Sequence, residues 1–249
     1  MKKVQFTDLG RIAFAEAWQL QTELHQALIR KKLVERDIRK QGIPVQPPLH
    51  HLLFCEHDPV FTLGKSGSSQ HLLLSEESLK KEGFSFFKIN RGGDITYHGP
   101  GQLVGYPIFD LDDFFTDIHQ YVRFLEEAVI RTLAAYGLEG YREKGYTGVW
   151  LYDREKSVKR KICAIGVHLS RWVTLHGFAF NINTQLDHFD HIVPCGIQEK
   201  GREVTSMAKE LGREISLSEV KDQVRMHLAD LFEYEYTKTN EEGYSTAES

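Results

Sequence analysis

The chain has 249 residues, 41% of them hydrophobic and 27% charged, which is enough apolar material for one sizeable core. Its formal net charge of -4 gives no electrostatic ground for binding nucleic acid, and no stretch approaches the ~20 apolar residues of a membrane helix. Cys55, Cys163 and Cys195 form no C-x-x-C pair, which argues against a disulfide framework and for a reducing, cytoplasmic setting.

Met1 to Asp8 carries two lysines with no apolar run behind them and does not read as a signal peptide. Ile12 to Asp37 has apolar residues at mostly three- and four-residue spacing (Ala13, Phe14, Ala17, Trp18, Leu24, Ala27, Leu28, Leu33) and is predicted as a long amphipathic helix. The three prolines between Gln41 and Pro48 end it in a loop. A buried strand follows at His51–Glu56, then a short helix capped by Ser75 and closed near Gly83, then a strand over Phe84–Asn90. After the glycine-dense run Arg91–Gly105, an extended segment is expected at Leu103–Leu111 and a helix at Ile118–Tyr136, stopped by Gly137.

Three strands are predicted next, at Thr147–Tyr152, Lys161–Leu169 and Thr174–Asn183. Their connections are too short for crossover helices, so they should form an antiparallel meander. In the third, Phe178, Phe180 and Ile182 fall on one face and Gly177, Ala179 and Asn181 on the other. Val204–Leu211 and Leu217–Phe232 read as terminal helices. Residues 1–236 are expected to form a single domain and 237–249 a polar tail. The class is α+β, a mixed or antiparallel sheet with flanking helices.

Arg91-Gly92-Gly93-Asp94-Ile95-Thr96-Tyr97-His98-Gly99-Pro100-Gly101-Gln102 is the densest unusual segment. Its glycines let backbone N–H groups approach a ligand closely, although it matches neither a Walker P-loop nor a dinucleotide fingerprint. Tight turns between two strands explain the same residues equally well. Cys195 lies between Pro194 and Gly196 on a turn-like backbone able to hold a thiolate toward a cleft, whereas Cys55 and Cys163 sit in apolar runs and read as core fillers. Lys161 adjoins an apolar strand, where an ammonium could lower a nearby thiol's pKa or act as a base; a solvated lysine is the plainer alternative. His188, His191 and Cys195 with Asp187 and Asp190 do not have zinc spacing, so no metal is expected. His51, His57, His71, His119 and His168 read as structural or surface residues.

The glycine run resembles the RGGxxTxHGPGQ signature of lipoyl(octanoyl) transferases. Lys161-Ile162-Cys163-Ala164-Ile165-Gly166 resembles their K-x-x-[AS]-I-G strand, His176-Gly177-Phe178-Ala179-Phe180-Asn181 their HG-[FL]-A-x-N strand, and Pro194-Cys195-Gly196 their PCG loop. The resemblance implies a fold shared with biotin- and lipoate-protein ligases and a ligand tunnel. Cys195 would take an octanoyl group from octanoyl-acyl carrier protein, with Lys161 holding the thiolate and then helping to deprotonate an incoming lysine. Arg91–His98, Ala164–Gly166 (Ala164, Ile165, Gly166) and Gly177–Ala179 (Gly177, Phe178, Ala179) would line the tunnel, with Gly166, Gly177 and Ala179 leaving room for the chain. Acceptors would be lipoyl domains of 2-oxoacid dehydrogenase complexes and the glycine cleavage H protein. No cofactor is implied, because a thioester brings its own leaving group; no nucleic acid or membrane partner is expected. Lys156, Lys159, Arg160 and Arg202 are candidates for docking acidic partners, and the extra histidines His188 and His191 are expected to be neutral surface variation. An ATP-dependent lipoate-protein ligase, a silent acyl-binding module and an amidotransferase between carrier domains are the competing readings.

Overall fold

A computed structural model describes residues 2–193 and 201–237. Lys2–Ile12 forms β1, which hydropathy patterning does not predict: only Val4 is fully buried, and the strand is held by parallel pairing to β2 (Leu49–His57). Between them lies α1 (Phe14–Lys40), whose inner stripe of Phe14, Ala17, Gln21, His25 and Leu28 follows helical spacing but includes two polar residues. β3 (Val60–Leu63) leads to α2 (Glu76–Glu82), where Ser75 Oγ caps the Ser78 N–H and Gly83 takes the left-handed conformation that ends the helix. β4 (Ser85–Lys88), β5 (Ile95–His98) and β6 (Gln102–Ile108) then frame the glycine run, and α3 (Ile118–Ala135) is capped by Asp117.

β7 (Tyr141–Glu143), β8 (Tyr146–Asp153), β9 (Val158–Ser170) and β10 (Val173–Asn181) follow, and β8–β9–β10 is the antiparallel meander expected. β11 (Arg202–Val204) corrects the first predicted terminal helix. Val204 pairs with Lys161, Thr205 N–H donates to the Lys161 carbonyl, and α4 (Met207–Leu211) starts only after Ser206, its N-cap. α5 (Leu217–Phe232) and a short β12 (Tyr234–Tyr236) complete the described chain.

Among the described residues, β12-β1-β2-β6-β10-β9-β8-β7 form one mixed sheet with β11 on β9, and β4-β3-β5 form a second. α1 covers one face of the large sheet, packing Ala17 and Leu28 on Leu53, Val104, Ile108 and Ala179. α3 and α5 cover the other, where Leu125, Val129, Val224 and Leu228 meet Phe54, Leu103, Phe178 and Phe180. The alternation read in β10 is therefore real, but both faces are buried: large side chains face α3 and α5, small ones face α1. No helix among the described residues is long and apolar enough to cross a membrane.

Candidate active site

The register of β9 against β10 places Ala164 opposite Ala179 and Gly166 opposite Gly177, so the motifs on the two arms of one hairpin become one floor. β6 extends it, with Val104 opposite Ala179 and Gln102 opposite Asn181. The glycine run folds over this floor and is pinned by the Gly92 N–H to the Val167 carbonyl at 2.9 Å. Between floor and roof lies a cavity of about 390 Å³, inside the range of ~300–1,000 Å³ usual for small-molecule sites. Ile89, Ile95, Val104, Ile165, Val167, Phe178 and Ala179 make much of its wall apolar, while Lys161, Arg91, His98 and His176 also border it.

The cavity also borders Tyr146 and Thr147, because β8 and β9 part beyond the Val149–Cys163 pair. Gly148 N–H donates to the buried Glu126 carboxylate at 3.0 Å, and Glu126 is balanced by Arg123 and Arg142. Gly148 has φ +118, and a Cβ there would collide with the Cys163 carbonyl oxygen, so only glycine serves at the fork.

Of the sequence-predicted lining, Arg91, Gly92, Gly93, Asp94, Ile95, Thr96, His98, Ala164, Ile165, Gly166, Gly177, Phe178 and Ala179 all border the cavity, as does Lys161. Lys161 Nζ sits 4.7 Å from the centre of the Trp150 ring, a cation–π contact. Tyr97 does not border the cavity. On the alternating β5 it points the other way, between Phe61, Phe84 and Phe189, and its hydroxyl pairs with His188 Nδ1 at 2.7 Å. Cys195 lies outside the described residues. Cys55 and Cys163 are fully buried fillers whose thiols are pushed up by burial, the wrong direction for a nucleophile.

A chain of hydrogen bonds ties the roof to the floor. Arg91 donates through Nε and Nη2 to Thr62 Oγ1, and through Nη1 to the Gly92 carbonyl. Its donors are thus engaged in holding the loop, and burial lowers its pKa to about 10, leaving it charged at pH 7. Gln102 Nε2 donates to the Tyr97 carbonyl and to Asn181 Oδ1, so Gln102 Oε1 must accept from His98 Nδ1–H at 2.8 Å. His98 Nε2 then accepts from the Thr62 hydroxyl at 3.2 Å. Asn181 Nδ2 finishes the chain on the Thr205 carbonyl, beside Lys161. Burial, then His57 and Arg91, push the His98 imidazole down to about 3, so it is neutral. His176 is likewise held at about 3 by burial, then Arg91; it bonds Asn90 Oδ1 and adopts φ +63, a conformation uncommon outside glycine.

Three expectations need correction. Gly166 and Gly177 do not leave space for a chain: a Cβ on Gly166 would lie 2.7 Å from the Gly92 carbonyl oxygen, and one on Gly177 would strike that of Gly105. They are glycine because backbone packs against them. Three of the four basic residues proposed for docking are engaged within the protein, Lys159 with Glu143, Arg160 with Asp153 and Glu210, and Arg202 over the Tyr146 ring, while Lys156 is exposed. His188 and His191 are not surface variation, since they pack edge-on against Phe84, and His191 also faces Glu82 at 3.6 Å. Phe14, Tyr146 and Val204 border the cavity without any local sequence signal. His57, expected to be structural, is buried between the Ile12 carbonyl and the Tyr106 hydroxyl.

The family model described as lipoyl protein ligase A/B catalytic domain matches residues 14–229. An octanoyltransferase of Cytophaga hutchinsonii is 51% identical over 238 residues, covering 96% of each chain. One from Flavobacterium johnsoniae is 53% identical over 235 residues, 94% of this chain and 98% of the relative. The fold is similar to that of a bipartite lipoate protein ligase from Thermoplasma acidophilum, with a TM-score of 0.70 at 15% identity over 96% of this chain and 87% of that one. With identity of this order along almost the whole chain, and with the glycine-loop, β9 and β10 motifs closing on one cavity, the protein belongs to the octanoyltransferase family of lipoyl protein ligase A/B catalytic domains.

Proposed function

We propose that this protein transfers octanoyl groups in protein lipoylation, taking them from octanoyl-acyl carrier protein and delivering them to the target lysine of lipoyl domains through a thioester on Cys195. The acceptors are lipoyl domains of 2-oxoacid dehydrogenase complexes and the glycine cleavage H protein. One catalytic unit over residues 1–236 does this, with 237–249 outside it. The observation that carries most weight is the largely apolar cavity with Lys161 at its border, in a chain about half identical to octanoyltransferases.

In the first half-reaction the Cys195 thiolate attacks the octanoyl carbonyl, and the carrier's thiolate leaves and takes a proton from the Lys161 ammonium, which becomes the neutral amine. The ammonium of Lys161 favours the thiolate form of Cys195. In the second, the acceptor lysine amine attacks the acyl-enzyme, the Cys195 thiolate departs, and Lys161 in its neutral form takes the amine proton. The apolar wall removes octanoyl methylenes from water at about 0.8 kcal/mol each, which favours an acyl chain over a polar one. Neither half-reaction requires ATP.

The test is intact-mass measurement after mixing the protein with octanoyl-acyl carrier protein without ATP. One octanoyl group should appear, located at Cys195, be absent from Cys195→Ala, and discharge onto a lipoyl domain. Modification only with ATP and free lipoate would make the protein a ligase. Charging only by an octanoylated carrier domain would make it an amidotransferase.

A further inference from the structure

We propose that His71 and Asp94 form a latch joining the roof of the acyl cavity to the segment Ile192–Val193, which leads toward Cys195, and that both are therefore positioning residues for the transfer. The consequence for catalysis rests on the thioester mechanism above; the latch itself rests on geometry. Asp94 occupies a position that the glycine-loop signature leaves open. It borders the cavity, is 7% exposed, and divides its carboxylate between two partners. Oδ1 accepts the Ile95 N–H at 2.7 Å, and Oδ2 accepts from His71 Nδ1 at 2.5 Å. A carboxylate this buried needs both bonds to offset lost hydration. Room for it comes from Gly67, where a Cβ would collide with Asp94 Oδ1.

His71 makes its other connections through the backbone. Its carbonyl accepts the Val193 N–H at 2.7 Å, and the Leu73 N–H donates to the His191 carbonyl at 2.9 Å. These two bonds make an antiparallel bridge, Leu72 against Ile192. Val193 is two residues before Cys195. A single residue therefore grips the cavity roof with its ring and Val193 with its main chain. Displacing Asp94 releases the ring and loosens the bridge, so the nucleophile loses its registry with a bound acyl carbonyl. A misplacement of about 1 Å in a reacting group is enough to cost up to ~100-fold in rate.

The test uses Asp94→Ala, Asp94→Asn, His71→Ala and the double alanine variant. Hydrogen exchange at the Val193 and Leu73 amides reads the latch directly, and Asp94→Ala should speed both about tenfold. Acyl-enzyme formation from octanoyl-acyl carrier protein should fall about tenfold in His71→Ala at unchanged KM, and the double variant should fall no further than Asp94→Ala, because removing Asp94 already breaks the coupling. Asp94→Asn, which keeps an acceptor oxygen, should recover most of the loss. Unchanged amide exchange, or additive losses in the double variant, would overturn the latch. If the wild-type protein forms no acyl-enzyme at all, the thioester mechanism fails, and the exchange measurement still decides the latch.

Discussion

Lowering the pH from 7 to 5 should cost this fold several kcal/mol, because several imidazoles, His98 and His176 most strongly and His51 and His57 as well, are held by burial in a state that resists protonation. His98 and His176 are held at about 3, against ~6.5 in an unfolded chain. Between those values the unfolded chain binds more protons than the folded one, so stability is fully present above pH 6.5 and lost as the pH falls toward 3. Integrated from pH 7 to 5, each ring contributes about 2 kcal/mol and the pair about 4 kcal/mol. Urea denaturation at pH 7, 6 and 5 measures this, with His98→Asn and His176→Asn as the diagnostic variants. Asparagine supplies an amide donor and tolerates the left-handed backbone at position 176. Each variant should lose stability at pH 7 and also flatten the pH dependence by close to one linked proton at pH 5. Wild-type slopes in both variants, or a wild-type loss under about 1 kcal/mol from pH 7 to 5, would refute the burial argument.

Gly177→Ala should destabilise the protein by about 1–3 kcal/mol in urea, because its Cβ meets the Gly105 carbonyl and forces β6 and β10 apart. Glu126→Gln keeps an acceptor for Gly148 but removes the charge facing Arg123 and Arg142; since those arginines are 59% and 32% exposed, the expected loss is about 2 kcal/mol rather than the larger cost of a fully buried pair. Ser75→Ala should lower stability by about 1 kcal/mol through loss of the α2 cap, without changing transfer activity. Reversing Lys159 and Arg160 to glutamate should lower the melting temperature and leave the KM for the carrier unchanged, since both cations are already paired with Glu143, Asp153 and Glu210.

Short-range chemistry was legible in the sequence. Ser75 and Gly83 bound α2, Gly137 follows α3, and the small-large alternation of β10 sorts its faces, because caps, left-handed glycines and strand periodicity depend only on residues a few positions apart. The motif residues carried the family, and of the lining residues predicted from them all but Tyr97 border one cavity. What only the tertiary structure decided depends on partners distant in sequence. β1 is a strand because β2 and β12 lie beside it, not because of its own pattern. Gly166 and Gly177 read alike as open space, yet the carbonyls of Gly92 and Gly105 fill that space. His71 has no distinctive spacing and gains its role from Asp94, 23 residues on, and from Val193, brought to its carbonyl by the fold. Charge, burial and backbone contact are properties of neighbours in space, and a linear pattern specifies those neighbours only when they are also close along the chain.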